Sequence, residues 1–119
     1  MGLYDQIRKG STSTLILSLL SGEPMYGYQI TQELQRRSEG YFDMKEGLLY
    51  PALHRMEQDG LLRSEWRRVE GSRQRKYYFI TEEGRKVLAK SAAEWTTFTE
   101  KLMGMIRGHG HVEPESMPG

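Results

Sequence analysis

The sequence predicts a mainly α-helical protein with one small β-hairpin. Three short segments carry apolar residues at helical spacing, and two alternating, aromatic-rich segments separated by a turn follow them. A long helical pattern then begins. A chain of 119 residues suits a single domain. Because cysteine is absent, disulfide scaffolds, thiol catalysis and cysteine-ligated metal sites are excluded.

The first predicted helix covers residues 11–21 and ends at Gly22. A shorter amphipathic turn that contains Leu3 and Ile7 precedes it. The second helix is predicted over residues 26–37, where apolar residues recur every four positions.

The third helix is predicted over residues 47–59, with Gly60 as its C-terminal cap. Pro51 is expected within the first turn, where backbone N–H groups have no partner inside the helix. The exposed N-terminal half of this helix is then expected to display Tyr50, Pro51, His54 and Arg55.

Residues 62–68 and 74–80 read as the two strands of the hairpin. Between residues 61 and 76 there are six basic residues against two acidic ones, whereas residues 1–60 have a net charge of −2. Such a local basic block suits phosphate contact, since neutralising phosphates releases counterions. A solvated charged hairpin without a partner is an equally open interpretation.

Three helices followed by a basic hairpin predict a winged helix-turn-helix. We expect a DNA-binding domain over residues 1–80, a dimerisation helix over 81–107 and a disordered tail over 108–119. Leu88, Trp95 and Leu102 are spaced by seven in the long helix, which is typical of a helix-pairing seam. The predicted dimer contacts are Leu3, Ile7, Leu88, Trp95, Phe98, Leu102 and Met105. Trp95 and Phe98 are also candidate contacts for a small hydrophobic or aromatic effector.

No set of residues supports catalysis, because the sequence has neither a phosphate-binding loop nor a nucleophile elbow. We therefore expect no enzyme and no cofactor. His109 and His111 lie among glycines near the C-terminus, so we expect no metal site. The sequence contains no apolar run long enough to span a membrane and no signal peptide, which predicts a cytoplasmic protein.

Four strings carry a resemblance to a known family: Tyr26-Gly27-Tyr28-Gln29-Ile30, the run from Glu46 through Leu48-Leu49-Tyr50-Pro51-Ala52-Leu53 to Glu57, Asp59-Gly60-Leu61-Leu62, and the run from Arg75 to Thr81. In order and spacing they resemble the PadR family of bacterial transcriptional regulators, over residues 12–107. The resemblance implies a homodimeric winged-helix repressor that binds a palindromic operator in double-stranded DNA and is released by a small ligand or another signal.

The resemblance also implies that the third helix faces DNA and that the hairpin forms the wing. The DNA-binding residues expected are Tyr26, Lys45, Tyr50, Pro51, His54, Arg55, Arg73, Arg75 and Lys76. Leu48 stands where the family usually has a small hydroxyl residue, which removes a phosphate or base contact common in relatives. The alternative function is a winged-helix module that binds protein instead of DNA, and such a module would not need the basic hairpin.

Overall fold

The computed structural model describes residues 3–68, 71 and 73–110, with side chains for residues 10–68, 71, and 73–108. Within these residues it is mostly helical, with one small antiparallel sheet, which confirms the predicted fold class. The elements are α1 (Leu3–Leu20), β1 (Met25–Tyr26), α2 (Gly27–Arg37), α3 (Glu46–Gln58), β2 (Leu62–Arg68), β3 (Gln74–Ile80) and α4 (Glu82–Gly110).

The sheet has three strands in the order β1-β3-β2. The predicted hairpin is correct, and its register pairs Leu62 with Ile80. The prediction missed β1, in which Met25 pairs with Tyr78, because two residues are too few to show strand alternation. The second helix therefore begins at Gly27, and Tyr26 precedes it as the capping residue.

The predicted start of the first helix is wrong, since α1 is continuous from Leu3 to Leu20. Ser11 and Thr12 are buried within it instead of capping it. Their weak helix propensity costs only a few tenths of a kcal/mol each, roughly, which packing readily outweighs. The side chains of Leu3 and Ile7 lie outside the described part of the structure, so their predicted place in a dimer contact stays a prediction.

Pro51 lies in the second turn of α3 and not in the first, because the helix begins at Glu46. The proline leaves the carbonyl of Gly47 without its helical donor, and the exposure of Gly47 lets water take that place. The C-terminal cap is as predicted. Gly60 has a φ of 79°, and the backbone N–H of Leu61 donates to the carbonyl of Met56 at 2.9 Å.

Helix α4 extends to Gly110, past the predicted end at residue 107. Two glycines near a helix terminus weaken the helix but do not stop it. The helix starts at a cap formed by Thr81, whose hydroxyl accepts from the N–H of Gly84 at 3.0 Å. Residues 111–119, with His111, lie outside the described residues.

The chain divides into two compact units that meet between Leu88 and Ala89. The first unit contains the hydrophobic core, to which α1, α2, α3 and the sheet contribute. Its largest fully buried side chains are Ile16, Leu17, Met25, Ile30, Leu49 and Leu53. The described part of the second unit is the remainder of α4.

Candidate nucleic-acid interface

Helix α3 presents one face to the core and the other to solvent. Leu49, Ala52, Leu53 and Met56 are buried at helical spacing, which fixes the rotation of the helix. The four residues expected on its open side, Tyr50, Pro51, His54 and Arg55, are all exposed. Lys45, which precedes the helix, is also exposed, and its ammonium lies 3.5 Å from the carboxylate of Asp43.

A groove of about 500 Å³ lies between the start of α2, helix α3 and the wing, the name used here for β2, β3 and their turn. We call it the Tyr50 groove. It is lined by Tyr26, Gly27, Tyr28, Tyr50, Trp66, Arg73, Gln74, Arg75, Lys76 and Tyr78. It thus brings together five of the nine predicted DNA-binding residues. The other four, Lys45, Pro51, His54 and Arg55, are not among its lining residues.

Tyr50 owes its position to the missing side chain of Gly27. A Cβ atom on Gly27 would lie 2.7 Å from two carbons of the Tyr50 ring, which is closer than real Cβ contacts. The ring therefore packs against the start of α2 while 43% of the residue remains exposed. Burial raises the pKa of the Tyr50 hydroxyl, and Glu46 and Tyr78 add to that shift. A tyrosine hydroxyl is protonated at neutral pH even without this shift, and it can donate a hydrogen bond.

The three cations of the Tyr50 groove have different surroundings. The guanidinium of Arg75 lies 4.3 Å above the ring of Tyr26. The ammonium of Lys76 lies 3.8 Å from Glu57 Oε1 and 5.6 Å from the ring of Tyr78. Arg73 is exposed.

Part of the basic charge of the wing lies outside the Tyr50 groove. Arg63 and Arg67 alternate with Ser64 and Trp66 along β2 and so lie on the opposite face of the sheet from Lys76, which pairs with Trp66. Both arginines donate to Glu65, at 2.7 and 3.3 Å, and stack on the ring of Phe79. The hydrogen bond from Arg63 is the main reason that the pKa of Glu65 is lowered, and Arg67 contributes to it.

Sequence reasoning did not select Tyr28 or Trp66 as site residues. Trp66 is 64% exposed and lines the Tyr50 groove, although its strand position is in phase with buried Leu62. The alternation along β2 contained this signal, since it places Trp66 on the inner face of the sheet but beyond the core. Tyr28 follows directly after the Tyr26-Gly27 pair, but only the fold places it beside the wing.

In the second unit the predicted seam residues of α4 are largely exposed. Trp95 is half-buried and meets Phe98 edge-on, with ring centroids 6.0 Å apart. Phe98, Leu102 and Met105 are 56%, 44% and 63% exposed. Leu88, in the first unit, packs against the hydrophobic core, so part of its surface is already covered within the chain.

Neither a cluster of metal ligands nor a membrane-spanning helix is found among the described residues. No three or more of their histidines, aspartates and glutamates come together as metal ligands would. None of the helices in the described part of the chain is long and apolar enough to cross a membrane.

Comparison with known proteins gives a consistent result. The family model of the transcriptional regulator PadR-like family matches residues 16–90. The transcriptional regulator Rv3488 of Mycobacterium tuberculosis is 33% identical over 99 residues, which cover 83% of this chain and 89% of that protein.

Solved structures agree with this. A PadR family regulator from Eggerthella lenta has a TM-score of 0.76 at 35% identity, with 87% of this chain and 88% of that one covered. A PadR family regulator from Clostridium difficile has a TM-score of 0.68 at 37% identity, with 81% and 97% covered. This chain therefore belongs to the PadR-like family of transcriptional regulators, which are winged-helix DNA-binding proteins and not enzymes.

Proposed function

We propose that the protein is a homodimeric repressor that binds a palindromic operator through α3 and the wing. In this proposal it acts in the cytoplasm and leaves the operator when a small hydrophobic or aromatic effector, or another cellular signal, reaches it. The observation that carries the proposal is the Tyr50 groove, which places aromatic rings and three cations beside the exposed face of α3.

Each part of this surface suits one component of a DNA duplex. Arginine and lysine neutralise phosphates, and the counterions released supply sequence-independent affinity. The open side of α3, with His54 and Arg55, has the dimensions of a helix that enters a major groove and contacts base edges. A module that binds only protein would have no use for Arg73, Arg75 and Lys76 around one groove, so the groove favours DNA as the partner.

The exposed apolar stripe of α4 supports the dimer. Phe98, Leu102 and Met105 are large apolar side chains on one helix, and leaving such a stripe in water is unfavourable. A second copy of α4 would cover it. A two-fold axis would also provide the two recognition helices, about 34–36 Å apart, that a palindromic operator requires.

The aromatic pair of Trp95 and Phe98 is the proposed place for the effector. Its two rings offer an apolar, partly exposed surface to a flat hydrophobic molecule. An effector that binds there would act on the dimer and not on the Tyr50 groove. No cofactor enters this proposal.

The proposal is tested by electrophoretic mobility of the DNA upstream of the protein's own gene, with a scrambled duplex of equal length and composition as the control. We expect the native duplex to be retarded at concentrations at least tenfold lower than the scrambled one. Equal retardation of the two duplexes would contradict an operator-binding function, and no retardation of either would contradict DNA binding altogether.

Replacing Arg55 with alanine tests whether α3 reads sequence. Contacts with base edges discriminate by about 1–3 kcal/mol each, so binding to the native duplex should weaken by roughly tenfold or more while binding to the scrambled duplex changes much less. Lys86→Ala is the matched control, because it removes one exposed cation that lies on α4 and not on α3. Equal losses on the two duplexes at the same salt concentration would show that α3 does not read bases.

A further inference from the structure

Glu57 joins α3 to both strands of the wing. Its Oε2 accepts a hydrogen bond from the hydroxyl of Ser64 at 2.6 Å, and its Oε1 lies 3.8 Å from the ammonium of Lys76. Ser64 lies on β2 and Lys76 on β3. One carboxylate therefore ties the helix proposed to read DNA to the hairpin proposed to hold phosphates.

The pair between Glu57 and Lys76 contributes little to folding. The two side chains are 32% and 36% exposed, so water screens their attraction, and the N–O distance is long for an ion pair. The same pair has a larger effect on the binding of a polyanion. A phosphate that approaches Lys76 must compete with a carboxylate that already neutralises it, and the same carboxylate repels the phosphate.

This arrangement is specific to one cation of the Tyr50 groove. Among the described residues of the hairpin, the acidic residue Glu65 pairs with Arg63 and Arg67, neither of which lines the groove. Arg75 is placed over a tyrosine ring, which leaves its charge intact. Within the described part of the chain, Lys76 is thus the groove cation whose charge an acidic side chain offsets.

We propose that Glu57 is a positioning residue that competes with DNA phosphates for Lys76 and so weakens sequence-independent binding. The inference rests on the proposed function. Its value to a regulator is specificity, because random sites in a genome greatly outnumber operators and any excess phosphate affinity distributes the protein over them. The Ser64 hydroxyl donates to Oε2, and Oε1 is the oxygen that lies near Lys76.

The test measures how the affinity of the Glu57→Gln variant for a scrambled duplex depends on salt concentration. Glutamine keeps an oxygen for the Ser64 hydroxyl but has no charge, so Lys76 becomes available to a phosphate. We expect several-fold tighter binding at about 0.1 M salt and a log–log slope that is steeper by about 0.9 per subunit, the value for one added phosphate contact. The double variant Glu57→Gln/Lys76→Gln should lose this added slope.

Two controls test the alternatives to the local charge of Glu57, namely its hydrogen bond with Ser64 and the net charge of the protein. Ser64→Ala removes the hydrogen bond but keeps the carboxylate, and Glu39→Gln removes one negative charge from the exposed turn after α2. Both should leave the slope near the wild-type value. Thermal unfolding of each variant shows whether it is folded.

The inference is overturned if Glu57→Gln and Glu39→Gln have the same slope, if Ser64→Ala steepens it equally, or if the added slope persists without Lys76. In each of these cases the wild-type protein still binds DNA, so the proposed function stands. A wild-type protein that binds neither duplex would instead overturn the proposed function.

Discussion

The two units of the chain differ in which residues surround their exposed aromatic and apolar side chains. In the first unit, exposed rings such as Tyr28, Tyr50 and Trp66 line a groove together with arginine and lysine. In the described part of the second unit, the exposed side chains Phe98, Leu102 and Met105 follow one another along a helix. The first surface combines rings with positive charge, and the second is an apolar stripe.

The difference indicates what kind of partner each surface fits. Rings beside cations suit a polyanion, because the cations attract phosphates and the rings pack against sugars or bases. An apolar stripe at heptad spacing suits another helix, since only a similar stripe removes it from water. The first unit also has a core of its own, whereas the second has none among its described residues. We therefore expect substitutions in the two units to have separable effects.

Leu102→Glu should have the largest effect. In the proposed dimer it would bury two like charges close to the symmetry axis, and an unpaired buried charge costs several kcal/mol. We expect a folded monomer at micromolar concentration that no longer binds the operator, although α3 and the wing are unchanged. Sedimentation velocity measures the first result and electrophoretic mobility the second.

Thr97→Glu is the control for this substitution, since it adds the same charge at an exposed position of α4 outside the heptad seam. It should remain a dimer. A Leu102→Glu protein that sediments as a dimer and binds the operator normally would show that the stripe is not the interface.

The double variant Arg73→Gln/Arg75→Gln should have an intermediate effect, confined to the first unit. If each arginine contacts one phosphate, the log–log salt slope flattens by about 1.8 per subunit, at roughly 0.9 per contact. Affinities for operator and scrambled DNA should fall together, because phosphate contacts carry no sequence information.

Arg63→Gln/Arg67→Gln is the matched variant, because it removes the same charge from two arginines of the wing that do not line the Tyr50 groove. Its slope should change much less. If the two double variants flatten the slope equally, net charge and not the Tyr50 groove governs binding.

Glu33→Gln should have the smallest effect, a pH-dependent loss of stability. Arg36 and then Arg37 donate hydrogen bonds to the Glu33 carboxylate and lower its pKa from 4.5 to about 2. A lowered carboxyl pKa stabilises the fold above about pH 4.5, and this contribution is lost as the pH falls towards 2.

The melting temperatures of wild type and Glu33→Gln should therefore differ slightly at pH 7 and converge near pH 2. Gln35→Ala on the exposed side of α2 is the control, because it changes no charge. Gln32→Glu would add a charge and is therefore not suitable. A difference that stays constant from pH 7 to pH 2 would mean that the ion pairs do not stabilise α2.

Periodicity in the sequence predicted α2, α3 and the hairpin to within about a residue, because their apolar residues face one core. It did not predict β1, whose pairing with Tyr78 is a contact between distant parts of the chain. It also ended α4 too early, at glycines that lie inside the helix. Local patterns cannot supply such information when packing outweighs propensity.

The candidate site, like the fold, could be predicted only in part from the sequence. The charge of the hairpin and the exposed half of α3 could be read from the sequence. The neighbourhood of Trp66 and Tyr28 could not, since the Tyr50 groove joins segments that are up to about fifty residues apart. The pairing of Lys76 with Glu57 likewise depends on the sheet register and on the packing of α3. Arg63, Glu65 and Arg67 lie two residues apart on one strand, so their pairing follows from strand alternation alone.

Gly27 and Tyr50 cannot vary independently. Any side chain at position 27 would displace the Tyr50 ring from the start of α2 and move it towards the space that DNA is proposed to occupy. A smaller residue at position 50 would make room for alanine at position 27. Substitutions at the two positions are therefore expected to be non-additive, as for any pair in direct contact. The start of α2 and the exposed face of α3 are therefore coupled through this one contact.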